Sequence, residues 1–435
     1  MTPPAQSQAS GGLGPNYWKL WISSAASNLG DGIFWIAFPL FAIQLTDSPV
    51  LVAGVTVVGR LPWLFFVLIA GALADRFDRR RTMASVAVLR TLVAIALAVG
   101  ILAGVVNLPI LYLTAFVLGM GETLFDTAAQ SIMPSIVERD QLSKANGRLY
   151  AAELTMNQFV GPPLGGILAG LALALAFVGS ALAFAVAAVG LSLLAGSFRP
   201  AAPSQPAGIV ADIREGLGYL RGHVVLRTLA LMVGVGNLAG SAVFAIFVLY
   251  AVTPGPMGLT EAGFGILMTT MGIGSVVGSL LVERVERRLG RSRLLALAVV
   301  VMAATMAVPG LTANPWVVGA AFAISGMAVV MWNVVTVSLR QRIVPDRLLG
   351  RLNASYRLLA WGSQPLGALL GGIAGEALGL RAVFIIAGVG TGFLVIATRI
   401  LTEEAIAAAE QEGRAEQDAL ASLNAEAGAG EPSTA

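Results

Sequence analysis

Six charged side chains stand inside long apolar runs of this 435-residue sequence: Asp31, Arg60, Arg90, Glu122, Asp126 and Glu153. At the centre of a membrane span such a charge costs about 2.5–3.5 kcal/mol, so it is either paired or put to work. Glu122 and Asp126 are four residues apart and share one helix face. Two acids that close repel, so one of them holds a proton more readily, which is what a reversible proton carrier needs. Asp31 and Glu153 are further candidates for the same proton chemistry. A structural alternative exists for the arginines. Arg60 with Asp31, or Arg90 with Asp126 or Glu153, would form buried ion pairs that only fix helix packing.

Other chemistries find no support. The sequence has no Cys, and its lone His223 cannot build a zinc site, so no metal and no cofactor is expected. No Gly-x-x-x-x-Gly-Lys-Ser/Thr stretch is present to cradle a nucleotide, and the chain is not expected to be an enzyme. The net charge of +3 comes from arginines in short loops without an aromatic–basic stripe, so nucleic acid is not an expected partner.

The elements that position these charges follow from hydropathy. Hydrophobic residues make up 57% of the chain, charged residues 12%, and mean hydropathy is +0.81. A soluble chain is about 25% charged, so this one lies in lipid. A span needs about 20 apolar residues. Twelve segments qualify: 18–44, 50–74, 82–104, 109–133, 147–171 and 174–198, then 224–252, 262–283, 292–312, 316–339, 354–378 and 382–402.

Loop charge alternates. Arg76, Arg79, Arg80 and Arg81 fall after the second segment, Arg139 and Lys144 after the fourth, and Arg199, Arg214 and Arg221 after the sixth. Arg284, Arg287, Arg288, Arg291 and Arg293 follow the eighth segment, and Arg340, Arg342 and Arg347 the tenth, whereas the other face carries Arg381 alone. The positive-inside rule then puts both termini in the cytoplasm of a bacterial inner membrane. Residues 1–17 lack the basic start of a signal peptide and are expected to be disordered. Residues 199–223 read as a linker whose Ile209, Ile213, Leu217 and Leu220 form the apolar face of a helix lying on the membrane surface. The Ala/Glu-rich tail, 403–435, reads as a frayed cytoplasmic helix and disorder.

The two halves, 18–198 and 224–402, repeat one another. Asp75-Arg76-Phe77-Asp78-Arg79-Arg80 returns as Glu283-Arg284-Val285-Glu286-Arg287-Arg288. Lys144-Ala145-Asn146 returns as Arg351-Leu352-Asn353, Asn157-Gln158 as Gln364-Pro365, and Gly165 as Gly372. Parallel repeats of six helices are a transporter architecture.

The loop from Gly71 through Leu73, Asp75, Arg76 and Arg79 to Arg80 resembles the loop 2–3 signature of the major facilitator superfamily. The resemblance implies an all-α membrane fold of twelve transmembrane helices in two pseudo-symmetric six-helix bundles. It also implies a gating role for Gly71, Asp75, Arg76, Arg79 and Arg80 and for their repeats Glu283 and Arg284. Asp75 is expected against the positive N-terminus of the eleventh helix, around Asn353 to Tyr356.

Gly161, Pro162, Gly165 and Gly166 resemble the helix 5 element of the family's antiporters, where proline frees backbone groups and glycines permit close contact. By texture, residues 18–400 are similar to the enterobactin-exporter and macrolide-efflux-like branch, and they lack the helix 4 Arg of other drug antiporters. The expected function is proton-coupled export of a small organic molecule by a monomer in contact with lipid. Its rivals are proton-coupled uptake and a non-transporting receptor or assembly subunit. Asn28, Arg60, Asn157, Gln158, Asn237, Trp332, Asn333, Trp361 and Gln364 are the expected lining of a partly apolar substrate cavity.

Overall fold

The computed structural model describes residues 13–66, 69, 70, 73, 76–138, 141–196, 198 and 209–429, and these residues are built from helices. In the first half, α1 is Gly14–Leu45, α2 Pro49–Phe65, α3 Arg79–Leu102 and α4 Leu108–Ile132. Next come α5 (Leu142–Leu154), a π-helical turn (Thr155–Val160) and α6 (Gly161–Leu171), which together make one span; α7 is Leu173–Ser192. The linker helix α8 is Ile209–Gly222. In the second half, α9 is Val224–Ala251, α10 Glu261–Leu289, α11 Arg291–Leu311, α12 Pro315–Ile343, α13 Asp346–Leu378 and α14 Leu380–Thr398. The tail helix α15 is Glu403–Ala429.

Among the described residues nine helices are long and apolar enough to cross a membrane by themselves. The other three expected segments fall on the 17-residue α2, on the α5–π–α6 composite and on the 33-residue α13. Local chemistry sets the helix starts. Ser48, Asp78, Asn107, Thr260 and Asn314 each accept a backbone N–H of the first turn, and Pro49 and Pro315 occupy first-turn positions where no hydrogen bond is lost. Gly290 (φ 77°) and Gly379 (φ 85°) turn the chain between α10 and α11 and between α13 and α14. Leu102, Leu171, Leu280 and Phe393 are among the exposed apolar side chains that form the lipid-facing belt.

Several boundaries move. The sixth expected segment ran to residue 198, but α7 stops at Ser192. Arg80 donates to the carbonyls of Leu191 (3.1 Å) and Ser192 (2.6 Å), ending the helix while the apolar run continues. Helix α1 begins at Gly14, inside the stretch expected to be disordered. The linker helix is held by the second half. It packs along α13, with Glu215 paired to Arg351, Gly216 against the Arg351 backbone, and Leu220 in the second-half core.

The tail, expected to fray, is helical over Glu403–Ala429 and docks on the second half. Ile406 and Ala409 are buried, Glu410 pairs with Arg291 at 2.7 Å, and Glu403 accepts from the Ser292 N–H at 2.8 Å. Tyr219 of α8 donates to Glu416 of α15, and burial together with that carboxylate pushes its phenol above the ordinary value.

Packing distinguishes the two ends of the molecule. Away from the arginine-rich loops, one core runs through both halves, joining Phe34, Phe38 and Phe177 to Phe247, Phe322 and Phe384. At the arginine-rich end each half keeps a core of its own. Tyr17, Leu20, Ile132 and Leu191 belong to one, and Leu229, Leu295, Ile343 and Leu401 to the other. Among the described residues the halves therefore share a core at one end and keep separate cores at the other.

Candidate functional site

The in-span charges assemble in a pattern that differs from the expected pairings. Arg90 on α3 is 1% exposed and pairs with Asp31 on α1, which is equally buried. Its second nitrogen donates to Ser27 Oγ at 3.0 Å, and the guanidinium stacks 3.9 Å from the Phe184 ring. Gly121 makes room for the arginine stem: a Cβ there would lie 2.7 Å from Arg90 Cδ. Asp31 is thus held by Arg90 within the first half and belongs to the wall of neither cavity described below. Sequence spacing could not reveal this, because α1 presents its polar face to α3 and α7.

Arg60 on α2 pairs instead with Glu122 on α4, at 3.7 Å. The Trp35 indole N–H donates to the same carboxylate at 3.2 Å, and the Arg60 guanidinium lies 4.2 Å over the Trp35 ring. Close approach of α2 and α4 at Gly59 and Gly119 sets this pair at one depth, since a Cβ on Gly119 would lie 3.3 Å from Pro62 Cγ.

Glu122, Asp126 and Glu153 line one polar cavity of about 380 Å³ between the halves. Arg60, Asn157, Gln158, Trp361 and Gln364 share its wall. Trp63 packs edge-on to Trp361 across the halves, with centroids 4.2 Å apart, and its buried indole N–H finds no partner among the described residues. A second cavity of about 400 Å³ opens beside the first, and its wall includes Asn237, Trp332 and Asn333 with Phe244, Met302 and Met306. Arg60 and Gln364 belong to both walls. Of the expected cavity residues, Asn28 lies elsewhere: it is buried, and its amide donates to the Ser24 carbonyl at 2.9 Å. Trp35, Trp63, Thr56 and the methionines went unrecognised in the sequence. A Met302/Met306 pair at i, i+4 was the one signal available for them.

Asn157 and Gln158 sit in the π turn, immediately before Pro162 and Pro163. Proline at both positions deprives the preceding turn of two N–H donors, and the wider π winding re-aims its side chains. Beyond the turn the glycines divide their work. Gly161 and Gly165 meet α1, where a Cβ on Gly161 would lie 2.6 Å from Gly32 Cα. Gly166 meets α10 of the other half, where its Cβ would lie 2.9 Å from Gly265 Cα. Gly166→Val is expected to fold, because neither bundle core is touched, but to wedge this joined end apart. Spin-label distances between α6 and α10 should lengthen, and unchanged distances would refute the wedge.

The loop expected to gate is described in part. Gly71 and Asp75 lie outside the described residues, and with them the expected contact to the start of α13. Arg76 is exposed. Arg79 donates to the Ser131 carbonyl at 2.8 Å and Arg80 to the end of α7, so both arginines sit at helix C-termini, where the dipole favours cations. Asp78 starts α3 and also accepts the Phe198 N–H at 2.8 Å. In the repeat, Glu283 and Arg284 are exposed, while Glu286 pairs with Arg291 at 3.2 Å.

Residues 15–429 match the family model described as transmembrane secretion effector. The chain belongs to this branch of the major facilitator superfamily. It is 30% identical over 405 residues to the multidrug efflux pump Tap of Mycobacterium tuberculosis, covering 86% of this chain and 90% of that one. With macrolide efflux protein A of Streptococcus pyogenes it shares 23% identity, over 86% and 94% of the two chains. Among solved structures, a bacterial homologue of the iron transporter ferroportin in its inward-facing state superposes with a TM-score of 0.70 at 15% identity, over 88% and 98% of the chains. The nucleoside transporter NupG gives 0.71 at 13%, over 90% and 100%. The fold is the major facilitator fold, and the protein is a multi-pass membrane transporter.

Proposed function

We propose that this transporter exports a small organic molecule across the bacterial inner membrane in exchange for protons, by alternating access. The carrying observation is the convergence of Glu122, Asp126 and Glu153 from α4 and α5 on one cavity between the halves, beside a second, methionine-lined one. Such a pair of cavities seats a molecule with a polar end and an apolar body. The joined end then faces outward and the parted, arginine-rich end faces the cytoplasm, with both termini there. Relatives named for multidrug and macrolide efflux support export over uptake.

The test is uptake of a macrolide and of a panel of dyes into everted vesicles. Accumulation should follow an imposed pH gradient and stop on adding a protonophore. Accumulation indifferent to the gradient would overturn proton coupling, and gradient-driven loss from the vesicles would favour uptake by the cell.

A further inference from the structure

At the joined end, the last turn of α13 meets the first turn of α2 across the two halves. Glu376 accepts the Ser48 hydroxyl at 2.6 Å and the Val50 N–H at 3.4 Å through the same oxygen, Oε2. Ser48 is itself the N-cap of α2, so a carboxylate from the second half is added to the positive end of a first-half helix. The approach depends on glycine. A Cβ on Gly372 would lie 2.9 Å from the Val50 Cα, and one on Gly375 would lie 3.2 Å from the Pro49 Cβ. Farther along the interface Ala53 is fully buried with Ala242, Ala245 and Ala368.

The contacts of α2 with Gly372, Gly375 and the alanines of the second half are apolar or backbone against backbone and have no charge to lose. Glu376 is different, because its carboxylate is the charged group in the seam and it sits at the rim, where solvent reaches it. The neighbouring charged side chains at the rim are Asp47, a second carboxylate beside Ser48, and Arg381, at the start of α14.

We infer that Glu376 is the positioning residue of the outer gate: as a carboxylate it holds α2 to α13, and as a carboxylic acid it lets them part. A proton arriving from outside would remove the charge that the α2 N-terminus and its N–H group favour. A proton shifts such an equilibrium only through different affinity for the two states. Here the carboxylate accepts from the Ser48 hydroxyl and the Val50 N–H, and a neutral acid is the weaker acceptor, so it would hold the seam less tightly. This gate is separate from the acids of the central cavity. It would let external acidity open the outward path before the cavity acids take a proton.

Sidedness rests on the proposed orientation; the gate itself does not. The chain has no cysteine, so single-cysteine reporters need no background removal. Ala53→Cys reports the α2–α13 seam and Ala262→Cys the separate α6–α10 seam, which Gly170 approaches. Each is labelled with a water-soluble maleimide in purified full-length protein, where both faces are accessible. Rates are referred to the same thiol in the unfolded chain. Glu376→Gln should speed labelling at both reporters about tenfold, the worth of one charge-assisted hydrogen bond. Glu376→Asp should stay near the parent, and labelling in the parent should rise with acidity towards the Gln rate.

A rise at Ala53→Cys alone would mean local fraying of α2 and would overturn the inference. So would unchanged rates at both reporters, or a pH response that survives in Glu376→Gln. In intact cells, fast labelling by an impermeant maleimide in the Gln variant places this end outside. Fast labelling confined to purified protein would leave the gate standing and overturn the orientation.

Discussion

Glu122→Gln is expected to abolish gradient-driven efflux while leaving downhill exchange and folding intact. The amide keeps an oxygen for the Trp35 N–H and occupies the same space, so the wall of the polar cavity survives. What disappears is the charge that holds Arg60 and, with it, the proposed proton site. A coupling ion does work only when its affinity differs between states, and an amide has no proton affinity to vary. The loss should exceed about tenfold in the rate against a gradient, the equivalent of about one pKa unit of differential binding.

Asp126→Asn should act in the same direction, because one turn separates it from Glu122 and both line the same cavity. The measurement is macrolide accumulation in everted vesicles with and without an imposed pH gradient. Should both single variants pump at parental rates, the proton site moves to Glu153, since Asp31 is held by Arg90.

Arg90→Met should be the most destabilising single change in the first half. It leaves the Asp31 carboxylate buried without its cation, a loss of about 3–5 kcal/mol for a broken buried pair. Ser27 would lose its charged donor and Phe184 its stacked guanidinium as well. Asp31→Asn with Arg90→Gln should recover much of the loss, because two neutral groups cost less to bury than one unpaired charge. Thermal denaturation of the purified variants in detergent decides this. Equal stability of Arg90→Met and the parent would mean that the pair carries little of the fold.

The architecture was legible because lipid imposes a coarse code. Apolar runs of span length and arginine on alternate loops leave few alternatives, and the repeat of Asp75–Arg80 in Glu283–Arg288 adds the two-half plan. Depth along each helix was legible too: the acids Glu122, Asp126 and Glu153 and the amides Asn157 and Gln158, read as in-span polar groups, line one cavity. Rotation about each helix axis was not. Asn28 and Asp31 lie at suitable depth but turn into the bundle, and the arginines exchanged partners for the same reason. Where α7 ends was hidden because a distant arginine, Arg80, supplies the stop that Leu193-Leu194-Ala195 lacks. The tail misled because its composition reads as solvated, whereas Glu403 and Glu410 answer cationic and N–H groups a hundred residues earlier.

The methionines of the second cavity set a bound on how tightly anything is held there. Met232, Met271, Met302 and Met306 supply a wall of unbranched thioethers with three rotors each, which re-form around differently shaped guests. A guest that froze all four would forfeit up to about 1.5–2 kcal/mol of rotamer entropy per side chain, several orders of magnitude in affinity. Guests that leave the wall moving escape that loss. They would be held weakly and depart quickly, so breadth of recognition and short residence would arise from the same four side chains.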